Sequence, residues 1–288
     1  MIYVGTCGFA YKDWIGPFYP PATKPSEMLG YYAQRFRAVE IDSSYYGVPS
    51  AETIRRMNAR TPDSFRFCFK VPSTLTHTPD STTSVHPDAA AFRLHLELLL
   101  QSGKLGCTLA QFPNSFTPTA GSEGRLRAIV QSLDGLPLVV EFRNRAWQTP
   151  ETFTLLRELG VGWCNVDMPH LESLPLPSSD ATGPVGYVRF HGRNSANWWQ
   201  GTSVTRYAYD YAPGELEPWS ERVAEIEEVA QETYAFFNNH ARGRAAGNAE
   251  MFERLLLERY GDSAASTVAR PDEAPPFHHP QLPGLERQ

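Results

Sequence analysis

VVEFRNRAW, residues 139–147, opens as a short apolar run, breaks on a charged residue, and turns toward Pro150, where a helical pattern begins. A short apolar run followed by a helical segment is the mark of a parallel βα unit. Read outward from this stretch, the chain repeats it. Strand candidates are Ile2–Cys7, Ala38–Asp42, Phe65–Val71, Gly106–Phe112, Leu138–Phe142, Gly162–Asp167, Gly186–His191 and Thr233–Asn238. Helix candidates are Pro25–Phe36, Ala51–Arg60, Pro87–Gln101, Glu123–Leu133, Pro150–Leu159, Pro218–Glu232 and Ala245–Tyr260. Pro25, Pro87, Pro150 and Pro218 stand at or near a first helical turn, where a missing N–H costs nothing. Met168–Gly183 is proline-rich without helical period, so an irregular loop replaces one helix. Eight strands with about seven helices predict a single-domain α/β fold, a (β/α)8 TIM-type barrel over 1–263, rather than a doubly wound sheet.

Two segments lie outside that count. Gly192–Gly214 is a long loop rich in aromatics (Trp198, Trp199, Tyr207, Tyr209, Tyr211), and its place after the seventh strand suits a lid. Residues 264–288 form a proline-rich tail without periodicity, expected to drape on the surface or stay disordered. The His278–His279 pair in that tail is read as inert.

Composition narrows the function classes. At 41% hydrophobic and 20% charged residues the chain is an ordinary globule. A net charge of −6 and a pI near 5.8 provide no broad basic surface for a polyanion. Cys7, Cys68, Cys107 and Cys164 are far apart, each in a strand-like run, and read as reduced core residues of a cytoplasmic protein. The opening MIYVGTCGF is strand-like rather than a leader, and no apolar run reaches the roughly 18 to 20 residues of a membrane span. No membrane partner is expected.

Barrel strands alternate side chains between the central axis and the helix layer, and strand C-termini face the active-site mouth. In VEIDSSYY (39–46) alternation sends Glu40 and Asp42 inward; in VVEFRNRAW, Glu141 and Arg143; in YVRFHGRN (187–194), Tyr187, Arg189 and His191. FCFKVP (67–72) adds Lys70, while Gln111, Asp167 and Asn238 or Asn239 end strands four, six and eight. Buried charges cost several kcal/mol each unless well paired, and strand interiors are usually filled by Val, Ile and Leu. An ion-pair lattice closing the barrel is one explanation; a functional site is the favoured one. Lys70, Arg143 and Arg189 suit a phosphate or carboxylate. Glu40 and Glu141 as a glycosidic pair would require a separation that sequence does not provide. No metal-ligand spacing, Walker motif, strand-linked GxGxxG or GxSxG elbow is present, so neither metal nor organic cofactor is expected. Cys7 is the one thiol nucleophile candidate, against a packing role.

The motifs GTCGFAYKDW (5–14), FYPP (18–21), VEIDSSYY (39–46), FKVP (69–72), QFP (111–113), VEFRNRAW (140–147), RFHG (189–192) and FNNHARGRAAGNA (237–249) occur in an order that resembles the YecE-like family, domain of unknown function 72. The resemblance implies a TIM-barrel fold and no established reaction. The chain departs from the family pattern at Asp42, Asn144 and Ala146.

The leading reading is an enzyme doing acid/base or hydrolytic chemistry on a small anionic substrate. Glu141, Glu40 and His191 are its proton-transfer candidates, and Lys70, Arg143, Arg189, Asp42, Tyr46, Gln111, Trp147, Asn238 and Asn239 its substrate contacts. A nucleic-acid-acting barrel resembling phosphodiester-cleaving endonucleases, with Trp198 or Trp199 stacking on a base, is opposed by the acidic pI and the missing metal ligands. A non-catalytic ligand-binding protein is the third reading.

Overall fold

The strands close on themselves. The computed structural model describes residues 1–78, 87–263 and 267–271. Its strands β1 (Ile2–Cys7), β2 (Ala38–Ile41), β3 (Arg66–Lys70), β4 (Leu105–Phe112), β5 (Leu138–Phe142), β6 (Gly162–Asp167), β7 (Val185–Phe190) and β8 (Glu232–Phe237) form a closed parallel barrel in sequence order. Every predicted strand is present within a residue or so of its expected ends. Among the described residues no helix is long and apolar enough to cross a membrane.

Local chemistry sets the helix boundaries. Ser50, Thr119 and Thr149 cap three helices by accepting from Thr53 N, Ser122 N and Thr152 N, satisfying donors that a first turn leaves open. The stretch 168–184 after β6 holds no helix, as its prolines predicted. Pro218 departs from expectation: the helix starts at Pro213, so Pro218 lies inside it. Pro218 has no N–H, so the carbonyl of Gly214, four positions earlier, has no intrahelical donor from it.

Alternation produces two separate cores. Val39, Phe69, Val140, Phe142, Val188 and Phe190 face outward into the layer shared with the helices. Tyr3, Cys7, Cys68, Cys107, Cys164 and Tyr187 fill the barrel itself. The start of the tail joins the body. Val268 is buried and bridges Ile2, and Ala269 N donates to Ile2 O at 2.8 Å. Most of the tail, with His278 and His279, lies outside the described residues.

Asp167 corrects the register argument at the end of β6. Instead of reaching the rim it is buried on the helix side, where Arg193 (2.9 and 2.6 Å), Tyr211 (2.7 Å) and Trp219 (2.7 Å) donate to it. A carboxylate with four donors is stable in an apolar layer. It fastens the loop after β7 to the helix Pro213–Val229.

Gly5 of β1 stands opposite Ala38 of β2. Tyr32 Oη accepts from Thr6 N at 2.9 Å and donates to Ala38 O at 3.1 Å, and a Cβ on Gly5 would stand 2.2 Å from that same carbonyl oxygen. Backbone cannot yield as a side-chain tip can. Gly5→Ala is therefore expected to cost about 1–3 kcal/mol, seen as a lower denaturant midpoint at unchanged slope; an unchanged midpoint would mean that the β1–β2 seam is loose.

Candidate functional site

The centre of the site is a guanidinium. Arg189, which alternation sends inward from β7, is buried, with Nη1 on Glu141 Oε2 and Nη2 on Glu40 Oε1, each at 2.6 Å. The same Nη2 lies 3.4 Å from Asp42 Oδ1 and 3.5 Å from Cys7 Sγ. Tyr187 Oη donates to Glu40 Oε2 at 2.7 Å. Arg143 Nε rests against Glu141 Oε1, and His191 Nε2 is 3.3 Å from that oxygen. Asn238 Nδ2 donates to His191 Nδ1 at 3.0 Å, which places the imidazole proton on Nε2, toward Glu141.

Charge balance fixes the protonation states. Burial opposes ionisation of Glu141, but Arg143 and Arg189 outweigh it and hold the carboxyl well below its usual range. Burial pushes Glu40 up to about 7 against the pull of Arg189, with Asp42 adding repulsion. Asp42, burial notwithstanding, is held low by Arg189 and Lys70 and by its hydrogen bond from Glu40. His191 is driven down to about 3 by burial and Arg143, so it is neutral. Burial and Glu40 push the Cys7 thiol up, which leaves it a packed, protonated group rather than a nucleophile. Among the described residues Cys7, Glu40 and Asp42 are the one set whose ligand atoms converge as a metal would need. The Arg189 guanidinium touches all three and stands in the cation's place.

Above this floor lies a cavity of about 670 Å³. Asp42, Lys70, Gln111, Arg143, Arg189 and Asn238 reach it from the strand ends, and Tyr46 stands at its rim. Glu40, Glu141 and His191 lie beneath the wall rather than on it. Trp147 does not reach the cavity: its ring stacks on Phe142 at 4.4 Å and its Nε1 donates to Phe116 O at 2.7 Å, inside the outer core. Asn239 likewise turns away, donating to Tyr209 O (3.0 Å) and Asn248 Oδ1 (2.7 Å), because the side chain after inward Asn238 must point outward.

The loop after β7 builds the remaining wall with Trp198, Trp199, Arg206 and Tyr207. Gly192 starts that loop at φ 80°, and a Cβ there would meet Tyr209 Cβ at 2.5 Å. Tyr11 joins from the β1 loop, stacked on His240 at 4.8 Å, and His77 from the segment after β3. Sequence reasoning placed Tyr207 in the lid loop without a role of its own and missed Arg206, Tyr11, His77 and His240. Tyr11 and His240 stand in quoted motifs, but a loop residue has no alternation to aim it. His77, pushed to about 4 by burial and by Lys70, is a neutral imidazole on the wall. Burial disfavours ionisation of Tyr207, yet Arg143, Arg189, Lys70 and Arg206 together bring its phenol below its ordinary range. The cavity lining includes four cationic side chains, Lys70, Arg143, Arg189 and Arg206, against the one carboxylate of Asp42.

Two outcomes follow for the floor. Glu141→Gln removes the partner of both Arg143 and Arg189 and is expected to cost on the order of 3 to 5 kcal/mol in denaturant unfolding; a neutral effect would release Glu141 from its supporting role. Glu40, raised from 4.5 to about 7, contributes stability that is present below pH 4.5 and lost as pH rises through about 7. The wild type should lose stability relative to Glu40→Gln across that window; a pH-independent difference would mean that Glu40 is not raised.

Comparison with known proteins agrees with the fold. The family model described as protein of unknown function DUF72 matches residues 3–273. The UPF0759 protein YunF of Bacillus subtilis is 31% identical over 278 residues, 91% of this chain and 97% of its own length. The UPF0759 protein YecE of Escherichia coli is 28% identical over 137 residues, 48% of this chain and 45% of its own. Among solved structures, a DUF72 family protein of Thermotoga maritima superposes with a TM-score of 0.83 at 38% identity, covering 89% of this chain and 99% of the other. One from Enterococcus faecalis scores 0.78 at 29% identity, covering 89% and 95%. A barrel with this ordered set of motifs, matched by one family from its first strand to the segment that follows its last helix, belongs to the DUF72 family of proteins of unknown function.

Proposed function

We propose that the cavity binds a small anionic substrate, bearing phosphate or carboxylate, and that the chain performs acid/base or hydrolytic chemistry on it. One observation carries the reading. Among the described residues neither Lys70 nor Arg206 has a carboxylate within ion-pair distance, and both line the cavity. Arg206 Nε and Arg189 Nε are buried donors without a partner. Half-buried cations outside any ion pair, beside buried donors without a partner among the described residues, favour an anion that supplies what the protein withholds. Arg143 adds a guanidinium beside them.

Proton transfer falls to Glu40 and Asp42. Glu40, near neutrality, holds a proton that its hydrogen bond shares with Asp42, and Asp42 opens on the cavity. Unequal environments for two touching carboxyls are the usual device for making one an acid and the other a base at pH 7. Glu141 and His191 support this pair from below by fixing Arg143 and Arg189. Tyr207 and neutral His77 are further donors on the wall.

Calorimetric titration with inorganic phosphate and with citrate tests the reading. Lys70→Met and Arg206→Met are each expected to weaken binding about tenfold or more, the scale of a lost charge-assisted hydrogen bond. Affinity that ignores both substitutions, or no binding to the wild type, overturns it. Turnover of phosphorylated and carboxylated metabolites, lost in Asp42→Asn at unchanged phosphate affinity, separates an enzyme from a binding protein.

A further inference from the structure

Tyr46 is 86% exposed and Trp199 54% exposed, and both belong to the wall of the same cavity. A single exposed aromatic needs no explanation, but two at one mouth mark a binding edge. They come from the loops after β2 and β7, which stand three places apart in the ring through β1 and β8. The two rings therefore approach the mouth from different sides. Deeper in, the cations lie on ring faces: Lys70 Nζ is 4.3 Å from the centre of Tyr45 and Arg143 Cζ 6.0 Å from that of Trp198. Polarity thus changes with depth, aromatic at the entrance and cationic below. A volume near 670 Å³ falls within the range of about 300–1,000 Å³ typical of pockets for whole organic ligands. A bare oxyanion would leave most of it to water.

We propose that the ligand is a phosphomonoester bearing an aromatic or heteroaromatic ring, its phosphate on Lys70, Arg143 and Arg206 and its ring received between Tyr46 and Trp199. This rests on the anion-binding reading above and adds the half of the ligand that reading leaves open. A phosphate seated among the cations directs whatever it is attached to toward the mouth, where a flat ring gains stacking on indole or phenol faces. A nucleic-acid strand also combines phosphates with rings, but the net charge of −6 opposes a polyanion more than a single monoester.

The test compares inorganic phosphate, 1-naphthyl phosphate, 1-naphthol and a short single-stranded oligonucleotide by calorimetry at physiological salt, on the wild type and on Tyr46→Ala, Trp199→Ala and Lys70→Met. The naphthyl ester is expected to bind about tenfold or more tightly than inorganic phosphate, and naphthol more weakly than the ester. Tyr46→Ala and Trp199→Ala should bring the ratio of ester to phosphate affinity toward one, whereas Lys70→Met weakens both ligands. Equal affinities in the wild type, or a ratio unmoved in both aromatic variants, overturn the ring subsite and leave the anion reading standing. Failure of both phosphate and ester to bind overturns both. An oligonucleotide that binds more tightly than the ester overturns the monoester in favour of a strand.

Discussion

An arginine keeps its charge at any physiological pH, so burying one commits its surroundings to supplying the opposite charge. Arg189 imposes that commitment on this barrel. Glu40 comes from β2, Glu141 from β5 and the guanidinium from β7, so one side chain ties three separate arcs of the ring across its axis. Glu141 also serves Arg143, and His191 Nε2 stands beside it at 3.3 Å. The two buried carboxylates are thus engaged by Arg189 and Arg143, both of which also reach the cavity. Lys70 and Arg206, which also line the cavity, belong to none of the ion pairs found among the described residues.

A second constraint acts from outside the barrel. The loop after β7 supplies a wall of the cavity, yet its anchors lie in the helix layer, where Asp167 receives Arg193, Tyr211 and Trp219. Asn248 holds the same loop from the last helix, accepting from Tyr211 N at 3.2 Å and from Asn239 at 2.7 Å. Residues on both faces of the sheet therefore shape the mouth, the inward ones by lining it and the outward ones by fixing what covers it.

Much of this was legible in the sequence, because a parallel barrel turns spacing into direction. Alternation placed Glu40, Glu141, Arg143, Tyr187, Arg189 and His191 inward, and their contacts follow from that placement. It failed where strands end. Asp167 and Asn239 are polar, and polarity near a rim reads as a site, but Asp167 accepts from Tyr211 and Trp219 and the Asn239 amide nitrogen donates to Tyr209 O and Asn248, outside the barrel interior. Trp147 failed for a related reason: in a motif rich in charges its ring is packing, stacked on Phe142 and Phe116. Arg206 went unassigned, and Tyr207 was placed only in a lid loop, because a long loop has no period. Pro218 was misplaced because a proline reads as a helix start, and the nearer start is another proline, Pro213.

The four cysteines lie inside the ring of strands, all reduced and all buried. Small side chains there leave room for Tyr187 and Tyr234, whose rings cross the interior. A thiol sealed in this way reacts with an alkylating reagent only when strands part, since the reagent cannot enter a packed core. The interior therefore contains its own chemical clock. The rate at which these sulfurs become labelled reports how often the closed ring opens, strand by strand, with no cysteine introduced for the purpose.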